Sequence, residues 1–270
     1  MPSSNIIASK DNPRLVKLRR IRDGRDRERI FIEGRRLTDE AFAAGLANIE
    51  CFIREDRYTS DLRGQIDQLL GERAFVVKEK IFRSLADTAE SQGIILTADR
   101  PSYRPADVFS RFKNENCVPI AVMMESANNP SNVGAVIRTA AAAGAAGVIV
   151  SGGSADPFSP KSLRASMGAA FRIPVAESQD VADILDAARK AGCRLVGTSP
   201  AGGSDIFTAD VTAKTLYIFG SEAHGMTEET AAQMDSAVRI PMAETESLNL
   251  AVACGVILFE AARKLSGSMN

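Results

Sequence analysis

From residue 118 onward the chain alternates between short apolar runs and longer amphipathic stretches, and this alternation restricts the possible folds more than any other feature. Repeated strand–helix units give a parallel sheet covered by helices, because each crossover must carry the chain back to start the next strand in the same direction. The first run, Val118-Pro-Ile-Ala-Val-Met-Met124, is continuously apolar, the pattern of a strand buried on both faces. Helices are predicted at 132–144, 160–170, 181–191 and 228–234, alternating with strands at 148–150, 173–175, 194–197, 216–219 and 238–240. An apolar helix closes the chain.

Upstream, short β-forming runs at 30–32, 49–53, 74–77 and 94–98 interleave with helical patterns at 13–21, 37–44, 62–70 and 81–86, which implies a small α/β sandwich. Between the two regions, Asp99-Arg-Pro-Ser-Tyr-Arg-Pro-Ala-Asp107 carries two prolines and little apolar periodicity, so it reads as a linker. The expected organisation is a front domain at 1–98, a linker at 99–115 and a second α/β domain at 116–270.

A formal charge of -1, from 33 basic and 34 acidic residues, conceals an uneven distribution. Between Lys10 and Arg36 basic residues outnumber acidic ones, and such a stripe attracts phosphates. The same stretch is also compatible with a solvated helix whose arginines pair with Asp23, Asp26 and Glu28. Cys51, Cys117, Cys193 and Cys254 are scattered and the chain has one histidine, so no zinc-type spacing exists and no metal is expected. The first residues lack a basic-then-apolar signal pattern, and no apolar segment is long enough to span a bilayer. A cytoplasmic protein with no membrane association is expected.

Three segments carry candidate chemistry. In N-N-P-S-N-V-G-A-V-I-R-T-A-A-A-A-G at 128–144, Asn132 is the expected N-cap of a helix. Gly134 and Arg138 lie four apart, on the face away from the core. A glycine there costs about 1 kcal/mol relative to alanine, which a need for space beside Arg138 would explain. An ordinary capped helix with a solvated arginine fits equally well. In the second segment, strand 216–219 runs into Gly220-Ser-Glu-Ala-His-Gly225, at the strand end where open parallel sheets bind ligands. Glu222 is either placed there for a ligand or is an exposed turn residue, and His224 reads as surface. In the third, positions 248–259 are almost wholly apolar or small, so that helix is expected to be enclosed on all sides. Asn249 interrupts its first turn; a buried amide there needs a partner or costs about 1–3 kcal/mol. Ser247 faces a ligand or simply caps the helix. Ala251, Ala253, Cys254 and Gly255 would let another helix pack closely, as at a dimer interface.

Taken together, N-P-S-N-V-G-A-V-I-R-T-A at 129–140, F-G-S-E-A-H-G-M at 219–226 and I-P-M-A-E-T-E-S-L-N-L-A-V-A at 240–253 resemble the SpoU (TrmH-like) branch of the SPOUT RNA ribose 2′-O-methyltransferases. Arg164-Ala-Ser-Met-Gly-Ala169 looks like the same family, and the likeness covers about 116–266. Residues 9–18 and 29–37 are similar to the L30e-like substrate-binding domain that precedes this catalytic domain in some members. The resemblance implies a parallel sheet with a C-terminal trefoil knot, a homodimer formed through the C-terminal domain, and S-adenosyl-L-methionine as cofactor. It assigns cofactor binding to Gly220, Ile240 and Leu248, and catalysis to Asn132, Arg138, Glu222, Ser247 and Asn249. It implies RNA as substrate, with rRNA favoured over tRNA. Glu244 stands where many relatives have glycine, so the loop closing over the cofactor differs here.

In such a reaction the ribose hydroxyl must lose its proton as it attacks the methyl group. Arginine stays protonated in water, so Arg138 is better suited to hold an adjacent phosphate and stabilise developing alkoxide charge. Asn132 and Glu222 would orient Arg138 and the ribose, while Ser247 and Asn249 hold the loop and the hydroxyl. The rivals are a nucleotide enzyme, disfavoured by the lack of G-x-G-x-x-G and G-K-[ST], a tRNA methyltransferase, and a non-catalytic RNA-binding or ribosome-assembly protein.

Overall fold

The computed structural model describes residues 6–58, 66, 68–199, 202–211 and 214–267. The chain divides into two compact units, Met1–Pro101 with Phe158–Phe171, and Ser102–Pro157 with Arg172–Asn270.

The first unit is built on a mixed five-stranded sheet. Its elements are β1 (Ile6–Ile7), α1 (Pro13–Arg22), β2 (Arg29–Glu33), α2 (Arg35–Ala43), β3 (Glu50–Arg54), β4 (Ala74–Val77), α3 (Glu79–Phe82) and β5 (Ile94–Asp99). The strand order is β1-β4-β3-β5-β2, with β5 antiparallel to both its neighbours. Helix α1 starts where Pro13 presets the helical φ and Asn12 accepts the Arg14 N–H at 2.9 Å. Its buried face, Leu15, Leu18 and Ile21, shares a core with Phe31, Phe52, Phe75 and Ile95. The helix predicted at 62–70 falls largely outside the described residues.

This unit also takes a segment expected to lie within the second domain. Helix α6 (Pro160–Ser166) packs on β2, with Leu163 fully buried and Arg164 paired to Asp87 at 2.7 Å. The predicted helix at 160–170 stops at Ser166 because Met167 and Gly168 turn left-handed, with φ of 54° and 88°. At Gly168 the Glu40 side chain occupies the space a Cβ would need.

The second unit is an all-parallel sheet of seven strands: β6 (Ile120–Met124), β7 (Val148–Ser151), β8 (Val175–Ser178), β9 (Arg194–Thr198), β10 (Ser204–Asp205), β11 (Thr215–Phe219) and β12 (Ser236–Arg239). Their order is β10-β12-β9-β11-β6-β7-β8. Its helices are α4 (Pro105–Ser110), α5 (Pro130–Ala142), α7 (Val181–Lys190), α8 (Glu228–Ala231) and α9 (Leu250–Gly267). The central strands β6 and β11 are buried at every position, and Leu216, Ile218, Ala121 and Met123 face Ile184, Leu185 and Ala188 of α7 across one core.

Several expectations need correcting. The segment read as a linker contains α4: Pro105 opens the helix instead of excluding it, Arg104 and Asp107 form a capping box, and Val108 and Phe109 enter the second unit's core. Strand β8 begins at Val175, two residues later than predicted, because Pro174 has no N–H to give the ladder. The closing helix α9 is not enclosed on all sides. Cys254, Ile257, Leu258 and Ala261 form a buried stripe at i, i+3, i+4 and i+7, while Val252 and Phe259 on the other side are 52% and 53% exposed. No helix among the described residues is long and apolar enough to cross a membrane.

Candidate functional site

All strands of the second sheet are parallel, so the segments following β6, β11 and β12 emerge at one edge, beyond the carboxyl ends. Each candidate residue lies on one of these segments or on α5 or α9.

Helix α5 is capped by Asn129, not by the predicted Asn132. Asn129 accepts the Ser131 N–H at 2.9 Å, and Pro130 occupies the first helical position. This shift leaves the Asn132 side chain free, and it is used on both sides. Its Nδ2 donates to Glu222 Oε1 at 2.8 Å, and its Oδ1 accepts from Asn249 Nδ2 at 3.0 Å. One amide thus joins the loops after β11 and β12 to the start of α5.

Asn249 is exposed rather than buried, and it caps α9. Its Oδ1 accepts the Ala251 N–H at 2.9 Å and the Val252 N–H at 3.4 Å. Ser247, the other candidate cap, makes no hydrogen bond among the described residues. Because Asn249 Oδ1 is committed to the helix, its Nδ2 is aimed, and the chain Asn249–Asn132–Glu222 has a fixed polarity ending on a carboxyl group.

Arg138 stands outside this chain of bonds. It lies six residues beyond Asn132 on α5, about 9 Å further along at ~1.5 Å per residue. It is exposed and makes no hydrogen bond or ion pair among the described residues. Gly134 is buried, so it does not share the exposed surface of Arg138 as expected. Helix α9 packs against α5, with Gly255 close to the Thr139 methyl.

The loop after β11 is tightly closed. Ser221 and Gly225 exchange backbone bonds, both 2.9 Å, and Gly225 takes a φ of 70°. A Cβ at Gly220 would overlap the backbone of Gly225 and Met226, so only glycine fits. The predicted cofactor residues are spread along the same edge: Gly220 is buried at the end of β11, Ile240 is half-buried just past β12, and Leu248 is 39% exposed before α9. From Met242 to Leu248 no backbone N–H or C=O is bonded within the described residues. Free backbone donors and acceptors beside an exposed leucine suit an adenosine-containing cofactor bound mainly through the main chain, so the residues present fit S-adenosylmethionine.

Sequence reasoning passed over Glu125. It directly follows β6, is 3% exposed, and accepts from the Thr227 N–H at 3.2 Å, the Thr227 hydroxyl at 2.9 Å and the Thr230 hydroxyl at 2.7 Å. Thr227 caps α8, so this carboxyl group anchors the segment that leaves the Glu222 loop. The available signal was a carboxylate immediately after a wholly apolar strand, a position that burial permits only with partners. Ser126, at a φ of 54°, donates its N–H to Ser151 Oγ at 3.2 Å and ties the loop after β6 to that after β7.

Comparisons with known proteins bear directly on this edge of the sheet. The chain is 29% identical over 219 residues to the 23S rRNA (guanosine-2′-O-)-methyltransferase RlmB of Vibrio cholerae, covering 80% of this chain and 89% of that one. The AdoMet-bound rRNA methyltransferase from Sinorhizobium meliloti matches with a TM-score of 0.81 at 29% identity, covering 96% and 98% of the two chains. The SpoU methyltransferase AviRb from Streptomyces viridochromogenes, in complex with AdoMet, matches with a TM-score of 0.80 at 26% identity, covering 95% and 100%. Residues 119–259, which carry every strand of the second sheet and every loop of the candidate site, match the SpoU rRNA Methylase family, and the chain belongs to it.

Proposed function

We propose that this protein is an S-adenosylmethionine-dependent methyltransferase acting on a ribose 2′-hydroxyl of 23S rRNA. RlmB of Vibrio cholerae and the Sinorhizobium meliloti methyltransferase, which match this chain over 80% and 96% of its length, are named as rRNA enzymes, which favours rRNA over tRNA. The observation that carries the reading is the bonded chain Asn249–Asn132–Glu222, which joins three separated segments at the ligand-binding edge of the sheet.

The cofactor supplies an electrophilic methyl group on a sulfonium centre. Backbone groups of 242–248, with Gly220, Ile240 and Leu248 around them, are its proposed holders. Asn132 and Asn249 fix the carboxyl group of Glu222, which then accepts from the ribose and orients it. Arg138, exposed and uncommitted, binds the neighbouring phosphate and favours the negative charge that develops on the attacking oxygen. Ser247, with its hydroxyl free, is assigned to the substrate side of the same loop. The exposed apolar side of α9, with Val252 and Phe259, supports a homodimer through the C-terminal region.

Mapping 2′-O-methyl groups in total RNA, from cells with and without the gene, tests the proposal. One 23S rRNA position should lose its methyl group in the mutant. Loss at a tRNA position instead would reassign the substrate, and an unchanged map would overturn the catalytic reading.

A further inference from the structure

The first unit contains a cleft of about 240 Å³ where α1 meets the sheet, lined by Arg14, Lys17, Arg29, Glu50, Phe52 and Thr97 among others. It is smaller than the roughly 300–1,000 Å³ typical of sites for whole small-molecule ligands. At its centre, Glu50 bonds Arg14 at 2.8 Å and Arg29 at 3.2 Å, with the Thr97 hydroxyl at 3.5 Å. These pairs leave positive charge in excess: three cationic side chains face one carboxylate. Lys17 is exposed and has no partner among the described residues. The Nε of Arg29 is buried without a hydrogen-bond partner among the described residues, an unusual state for a cationic group. Arg14 lies over the Phe75 ring at 4.4 Å, yet its side chain remains 52% exposed. The guanidinium is thus backed by Phe75 and tied to Glu50 while about half of the side chain stays accessible.

We infer that this cleft is a separate RNA subsite that holds one unstacked nucleotide. The phosphate sits on Lys17 and Arg14, and the base stacks on the accessible part of the Arg14 side chain, which Phe75 backs from beneath. Sequence-tolerant capture of single-stranded RNA uses this combination of basic groove and planar stacking surface. Glu50 acts as a positioning residue: by pairing both arginines it holds their planes in place. The inference rests on the RNA reading above, and it places one contact of the substrate at a defined point within the basic stripe.

The test uses the full chain and a short single-stranded oligoribonucleotide, with binding followed by fluorescence anisotropy over a range of salt. Lys17→Gln breaks no ion pair, so it keeps the test valid even if Arg14→Gln disturbs the fold. Each variant should bind about tenfold more weakly, and its salt dependence should fall by about 0.7 in log–log slope for one lost phosphate contact. Arg25→Gln, in the same stripe but outside the cleft, should lose clearly less. Equal losses at all three positions would show a diffuse basic face and overturn the subsite, as would unaltered binding by Lys17→Gln. Competition by a nucleoside monophosphate as strong as that by the oligonucleotide would instead identify a free-nucleotide site. S-adenosylmethionine binding and methyl transfer are measured in parallel. Wild-type transfer without any cleft effect would sink the subsite alone, whereas absent transfer in the wild type would sink the enzymatic reading.

Discussion

At the residue level the site depends on amides that each do two jobs. Asn132 spans Glu222 and Asn249, and Asn249 also caps α9, so loss of Asn132 frees the carboxyl group, whereas loss of Asn249 loosens the start of α9 and leaves Asn132 held on one side only. Asn132→Ala and Glu222→Gln should lower kcat about 100-fold, the scale expected when a reacting group is misplaced by about 1 Å, with cofactor affinity little changed. Steady-state kinetics with cofactor titration would check this, and normal turnover would remove both residues from the mechanism. Arg138→Ala should abolish transfer while leaving cofactor binding intact. The cysteines make a different point. Burial raises the Cys193 thiol from its ordinary 9.0 to about 11, and raises Cys51 and Cys254 as well. A thiol raised on folding stabilises the fold at pH values below its unfolded pKa, and that contribution is lost as pH climbs through the folded value. Melting temperature should therefore drop between about pH 9 and 11, and native protein at neutral pH should resist iodoacetamide by mass spectrometry. Rapid labelling of all four thiols at neutral pH would contradict the burial.

For the elements, what was readable in the sequence divides by cause. Apolar period gave the central strands β6 and β11 to within two residues, because a buried parallel strand has no polar face to blur it, while the edge strand β8 was placed two residues early and the two-residue edge strand β10 was missed. Ends were missed where chemistry specific to one residue decided them: Pro130 with Asn129 moved the α5 cap away from Asn132, and Met167 with Gly168 cut α6 short. Asn132, Glu222 and Asn249, which the fold bonds together, were legible as motifs, but Glu125 was not, since its partners Thr227 and Thr230 lie about a hundred residues away. Composition also misread α9, where an almost wholly apolar sequence suggested full enclosure and the structure leaves Val252 and Phe259 exposed. If this side is the dimer interface, Phe259→Asp should yield monomers in sedimentation velocity with an unchanged far-ultraviolet spectrum. A variant that stayed fully dimeric would move the interface elsewhere.

For the molecule as a whole, the order of the chain and the order of its packing differ, and this determines which experiments are sound. The trefoil knot accompanies family membership and leaves no local signature, since apolar period reports burial and not threading. The placement of α6 is similar. Residues 158–171 are continuous in sequence with strands of the second sheet, yet they pack in the first unit, where Leu163 is fully buried and Arg164 pairs with Asp87. Deleting 1–98 is therefore not a clean removal of an RNA-binding module. It would strip the cover from Leu163, whose exposure alone costs about 1.5–3 kcal/mol, and it would leave Arg164 without its carboxylate. The truncated chain should melt well below the full chain and bind S-adenosylmethionine weakly, by calorimetry, even though its motifs are complete. Leu163→Ser in the truncated chain should recover solubility if the uncovered surface is the cause. A fragment as stable and as competent for cofactor as the full chain would show that α6 needs no partner, and that the two units are as separable as the sequence suggests.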